Sequence, residues 1–147
     1  MTKQDLQLQL KQAMIAKEKL RVSTLRLLLS AIQLSERQGD LHEATPEETV
    51  SIIQREVKRR REAIEEYTRA SRADLAQSEQ QELQILESYL PQQLTTEEVD
   101  AIIRETITNT GASTTADFGK VMKEVSVKTR GRADGKLVCD RVKQLLA

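Results

Sequence analysis

The sequence predicts an all-α protein, with an N-terminal four-helix part followed by a small three-helix tail, on three observations. The 147 residues hold only 5 Gly, 2 Pro and three aromatic side chains, Tyr67, Tyr89 and Phe118. Ala, Leu, Gln, Glu, Lys and Arg, which lose little on entering a helix, dominate the remainder. Apolar residues recur at three- and four-residue steps from end to end, which places them on one face of a 3.6-residue helix. The chain suffices for one domain or two small ones with an aliphatic core. The break is expected at Pro91, giving an N-terminal domain over 1–94 and a C-terminal tail domain over 95–147.

Taken in order, Leu6, Leu10 and Met14 predict a first helix over about 3–16. Val22, Leu25, Leu28, Leu29 and Ile32 predict a second to about Arg37, with Gly39 as its stop. The third has a well-marked start: Thr45 as N-cap, Pro46 in the first helical position and Glu48 three residues after the cap. Together they form a capping box that satisfies unpaired backbone N–H groups. It should run to about Ala70 with Val50, Ile53, Val57, Ile64 and Tyr67 inward. Arg60 falls on that same stripe. Either its stem packs while the guanidinium pairs with a carboxylate such as Glu82 or Glu87, or it reaches a phosphate.

Ser71 to Asp74 turns into a fourth helix, whose stripe is Leu75, Leu83, Leu86 and Leu90; Pro91 then disfavours helical geometry at Leu90. A second capping box, Thr95 to Glu98, opens a fifth helix carrying Val99, Ile102, Ile103 and Ile107 and closing at Gly111. Thr114 to Asp117 can cap a sixth, with Phe118, Val121, Met122 and Val125 inward and an end at Gly131. Asp134 caps the seventh, which carries Leu137, Val138, Val142 and Leu145 to the terminus. The tail thus reads as three short helices around one Phe.

Formal charge balances, with 23 basic and 23 acidic residues, but unevenly along the chain. Residues 1–37 carry a net +4, 38–94 a net −5, 95–119 a net −4 and 120–147 a net +5. Basic ends either attract a polyanion or neutralise the acidic middle within the fold, since attraction depends on the local field and not on the sum.

Several function classes fall away. A single Cys139 makes no disulfide framework and suits a reducing compartment; it reads as a small structural thiol. The only imidazole, His42, lies in a Gly-Asp-Leu-His-Glu loop with no second element to orient it, so it reads as an exposed loop residue and supports no nucleophilic triad. Metal-ligand spacing is absent, and Gly119-Lys120 lacks the strand that precedes a phosphate-binding P-loop. No catalytic residue, metal or cofactor is expected. No run approaches the roughly 20 apolar residues that cross a bilayer, so the chain reads as a soluble, cytoplasmic protein.

What remains is a basic constellation near the C-terminus: Gly119, Lys120, Lys123, Arg130, Gly131, Arg132, Gly135 and Lys136. Helix N-termini expose N–H groups and a positive dipole end, and Gly lets a backbone approach closely, so these residues suit nucleic-acid phosphates. The plainer alternative is helix capping beside a solvated basic turn. Aromatic platforms for unpaired bases are lacking, so any RNA contact should be to backbone and shape.

The segments Thr24-Leu25-Arg26-Leu27-Leu28, Arg55-Glu56-Val57-Lys58-Arg59-Arg60, Glu87-Ser88-Tyr89-Leu90-Pro91-Gln92-Gln93-Leu94, Asp117-Phe118-Gly119-Lys120-Val121-Met122 and Gly131-Arg132-Ala133-Asp134-Gly135-Lys136 closely resemble the YqeY-like, or GatB/YqeY domain, family. The match runs in order over essentially the whole chain, with Phe118 where Met is frequent in that motif. The resemblance implies an all-α bacterial protein whose tail is similar to the C-terminal tail of the tRNA-dependent amidotransferase B subunit, which contacts tRNA. It implies a non-catalytic tRNA-associated protein, with tRNA, an amidotransferase or another translation-related protein as partner. Two further readings are an accessory to carbon–nitrogen ligation with glutamine as amido donor, a label the family often carries, and a helical protein–protein adaptor.

Overall fold

Seven α-helices and no strand make up the protein in a computed structural model that describes residues 1–147. They are α1 (Lys3–Ile15), α2 (Lys19–Glu36), α3 (Pro46–Arg69), α4 (Ala73–Glu87), α5 (Thr96–Thr110), α6 (Phe118–Thr129) and α7 (Gly135–Leu146), with a 3-10 turn at Thr115–Asp117. The chain divides into two compact units, Met1–Leu90 and Pro91–Ala147.

Cap chemistry sets the helix starts. Thr2 and Asp5 close a reciprocal box before α1, and Thr95 and Glu98 close the expected one before α5. At α3 only half of the expected box forms. Thr45 Oγ1 accepts from the Glu48 N–H at 3.1 Å, but the Glu48 carboxylate turns to His42 Nε2 at 2.9 Å. His42 Nδ1 meanwhile meets the Asp40 carbonyl at 2.8 Å. The expectation that nothing orients His42 is therefore corrected: its exposed ring is held between its own loop and the start of α3.

Both ring nitrogens face oxygen acceptors, an arrangement that suits the doubly protonated ring. The Asp40 carbonyl and then the Glu48 carboxylate accordingly raise the His42 pKa. A raised folded value makes the interaction fully stabilising below the unfolded pKa of about 6.5 and lost as pH rises through the folded value. Melting temperature should fall across that window in the native chain. The step should vanish in His42→Ala, as pH-resolved thermal denaturation would show.

In the first unit, α1 packs on α2, α3 lies along α4, and α2 touches both α3 and α4. The core is aliphatic: Leu6 and Ala13 from α1, Leu25, Leu28, Leu29 and Ile32 from α2, Ile52, Ile53 and Val57 from α3, and Leu83, Leu86 and Tyr89 from α4 and its end. Met14, expected inward, is 50% exposed, and Ala13 takes its place. The reason is helical drift: two four-residue steps from Leu6 rotate about 80° off the seam, whereas seven residues rotate back to within about 20° of it.

Two arginines tie this unit together. Arg21 donates from Nε to the Tyr89 hydroxyl at 2.8 Å and from a terminal nitrogen to Gln9 Oε1 at 3.1 Å, joining α1, α2 and the end of α4. Arg60 takes the pairing alternative: its NH1 donates to Glu79 at 2.8 Å and also to Glu82. Glu87 pairs instead with Arg61, at 2.7 Å. The stem and Nε of Arg60 sink toward the core, where Nε finds no partner.

In the second unit α5, α6 and α7 each touch the other two. Val99 and Ile103, Val121 and Val125, and Val138, Val142 and Leu146 form the core. Phe118 is only half-buried and packs on its margin, so the expected centre of the tail is in fact a Val/Ile cluster. Gly111 ends α5 in the left-handed conformation, φ +69°, where only Gly avoids a Cβ penalty. Asp134 occupies the cap position of α7, but its side chain makes no cap bond.

Candidate functional site

The basic constellation near the C-terminus occupies two ends of one helix. Gly119 and Lys120 stand at the start of α6, while Arg130 to Lys136 lie beyond its end. Ten residues of helix separate Lys120 from Arg130 by about 15 Å. Proximity in sequence had suggested one compact cluster. The helix spreads it along its length, with the exposed Lys123 and Lys128 between the ends and about 140° apart around the axis.

At the start of α6, Lys120 Nζ donates to the Thr110 carbonyl at 3.2 Å, where the end of α5 favours a cation. Asp117 caps the turn that precedes α6. Its carboxylate accepts from the Ser113 and Thr114 N–H groups, at 3.0 and 3.4 Å, and those bonds hold its pKa below the usual carboxylate range. Gly119 has ordinary backbone geometry, and a Cβ there would meet no neighbouring atom. The fold itself does not demand glycine at that position. The same holds at Gly135.

The loop after α6 is clamped to the segment that precedes α5. The Leu94 N–H donates to the Arg132 carbonyl at 2.8 Å, Gln93 Nε2 donates to the Gly131 carbonyl at 3.0 Å, and Arg132 Nε donates to the Gln92 carbonyl at 3.3 Å. The Pro91-Gln92-Gln93-Leu94 and Gly131-Arg132 motifs therefore read one another. Gly131 is buried with φ +78°. Gly131→Ala forces an L side chain into the left-handed region at a cost of about 1–2 kcal/mol. In a unit this small that should lower the melting temperature by roughly 5–15 °C. Differential scanning fluorimetry checks it.

Arg130, Gly135 and Lys136 are exposed around the start of α7, whose first N–H groups lack a side-chain cap. Lys143, which the sequence reading missed, belongs to the same surface. It follows Lys136 by seven residues, two helical turns, and that spacing was the available signal. Its Nζ lies 5.8 Å from the centre of the Phe118 ring, so the end of α7 meets the start of α6. Arg141 is engaged differently: it grips Asp100 of α5 through two bonds of 2.8 and 2.7 Å. That is the one ion pair within this unit.

The arrangement offers no convergent ligands, since no group of three His, Cys, Asp or Glu could hold a metal ion. Cys139 is a half-buried free thiol. No helix is long and apolar enough to cross a membrane. What the fold and this surface define is a two-unit helical protein whose marked sequence motifs serve caps, core and the clamp between Gln92 to Leu94 and the Gly131 loop.

The chain belongs to the YqeY-like family: the family model described as "Yqey-like protein" matches residues 3–146. It is similar to "Altered inheritance of mitochondria protein 41, mitochondrial" of Lachancea thermotolerans, 41% identical over 86 residues, which covers 56% of this chain and 44% of that protein. The protein of the same name from Kluyveromyces lactis is 34% identical over 106 residues, or 68% of this chain and 55% of the relative. That of Pyrenophora tritici-repentis is 28% identical over 144 residues, or 96% of this chain and 78% of the relative. Against the first of these relatives, then, the chain spans less than half of the longer protein's length. The expectation of a bacterial protein is corrected here: these relatives are eukaryotic and bear mitochondrial names, which also leaves a plain cytoplasmic assignment without support.

Proposed function

We propose that the unit Pro91–Ala147 is a domain that associates with tRNA through the phosphate backbone, without catalysing a reaction of its own. The observation that carries this reading is the set of unpaired cations spread over α6, its following loop and α7. Lys120, Lys123, Lys128, Arg130, Lys136 and Lys143 enter no ion pair, the unit's one pair being Arg141 with Asp100. Residues 95–119, which include α5, carry a net −4, and residues 120–147 a net +5 even with the exposed Glu124, Asp134 and Asp140 among the cations. The unit is thus polarised, and a polyanion would meet its α6–α7 side.

Cations spread over a surface suit a backbone better than a pocket does, because phosphates recur along the strand while a pocket holds one. Lys123, Lys128 and Lys136 would contact phosphates, with Lys120, Arg130 and Lys143 adding to the field. Gly119 and Gly135, free of neighbours, leave room for close approach. Arg132 and Gly131 would act by holding the loop in place. The first unit, Met1–Leu90, is read as a separate domain.

Fluorescently labelled bulk tRNA titrated with the full chain at low salt tests this by anisotropy. The variant Lys123→Ala/Lys128→Ala/Lys136→Ala should bind at least tenfold more weakly while its circular dichroism is unchanged, since none of the three side chains holds the fold. Absence of native binding at low salt, or equal affinity of the variant, would remove the reading.

A further inference from the structure

A second surface lies in the first unit, on α2. Leu20, Leu27 and Leu34 are 37%, 58% and 62% exposed. They follow one another at seven-residue steps, so they share one face and span about 21 Å of helix. Of the three, Leu27 also lines an open groove of about 760 Å³ beside α1 and α2, together with the apolar Met14 and Val22 and the cations Lys17, Lys19 and Arg26. Lys17 stands in the turn between the helices at φ +59°, a backbone conformation unusual for a side-chain-bearing residue, and it reaches the groove from there. None of the three cations makes a salt bridge or a side-chain hydrogen bond within the chain.

We infer that this groove docks an amphipathic helix of a partner protein, apolar on the seated face and acidic along its flanks. Length, shape and charge point the same way. A run of leucines about 21 Å long matches some four turns of helix, the usual length of a helix laid in a groove by anchors at i, i+3, i+4 and i+7. The trough is open, yet its depression of about 760 Å³ gives a ridge of side chains a seat that the plane of a bilayer would leave unfilled. Its uncompensated cations would meet carboxylates on the incoming flanks.

A second copy of this chain is a poorer occupant. Glu18 is taken by Arg21 and Glu36 by Lys3, so two copies of α2 would bring the unpaired Lys19 and Arg26 of each against like charge. RNA is poorer too, because the lining has no aromatic ring on which a base could stack.

The probe is a synthetic helical peptide of about five turns, with Leu at i, i+3, i+4 and i+7 and Glu at the flanking positions. Its control carries Lys in place of every Glu. The full chain should bind the acidic peptide saturably and at least tenfold more tightly than the control. Leu27→Asp, an exposed position, and Lys19→Glu/Arg26→Glu should each weaken binding at least tenfold with unchanged circular dichroism. Equal binding of both peptides, no saturable binding, or indifference to these substitutions would overturn the inference. So would self-association abolished by Leu27→Asp, or attachment to anionic vesicles or tRNA through this face, without peptide binding.

Discussion

Ile103→Ala is expected to unfold the Pro91–Ala147 unit at temperatures where Met1–Leu90 stays folded. Ile103 is fully buried in the Val99, Val121, Val125, Val138 and Val142 cluster, where all three helices meet. Truncating a buried Ile to Ala costs about 2–5 kcal/mol, from lost transfer energy and from the cavity left behind. A unit of roughly 60 residues has only about 3–9 kcal/mol of stability to lose. With one aromatic residue, and that one on the margin of the core, little nearby bulk can move to fill the hole. Hydrogen exchange resolved by segment should show α5, α6 and α7 losing protection while α3 and α4 keep theirs. Uniform loss across all seven helices would mean that the units fold as one.

Arg60→Met should cost the first unit about 2–3 kcal/mol, the scale of a charge-assisted hydrogen-bond pair broken in a mostly dry site. The loss comes less from packing, which Met largely replaces, than from Glu79 and Glu82, which then face each other without a cation. Removing the carboxylates as well should recover much of it, because a buried ionic cluster exchanged entirely for apolar or neutral groups is often neutral. Urea denaturation of Arg60→Met and of Arg60→Met/Glu79→Gln/Glu82→Gln measures both. If the single variant matches the native chain, the ion cluster contributes nothing; if the triple falls further than the single, the carboxylates have a role apart from Arg60.

Much of this architecture was legible before the fold was known, because helix starts are local chemistry. Thr45 and Thr95 announce their helices through side chains acting on N–H groups three residues away. Where the reading failed, the missing information was three-dimensional. Glu48 chose between its own cap and His42 only when the loop from Asp40 folded back on α3. Met14 yielded to Ala13 because a four-residue step overshoots the helical turn, a correction that counting alone could have supplied. The same arithmetic would have spread the C-terminal cations along and around α6.

The clamp of Arg132 on Gln92 was beyond reach, since the partners lie 40 positions apart and each looks like a surface polar residue. Arg132 had seemed a phosphate contact on charge alone. Within the fold, one of its guanidinium nitrogens is committed to holding the loop.

The tRNA reading is tested most directly by the salt dependence of binding. Each phosphate neutralised by a side chain releases counterions and steepens the fall of log K with log salt by about 0.7–0.9. Affinity of the full chain for tRNA, measured over a range of salt concentrations, should fall steeply, and Lys123→Ala/Lys128→Ala/Lys136→Ala should flatten the slope by about 2–3. An identical slope for native chain and variant, or no slope in either, would contradict a phosphate-binding surface on α6 and α7.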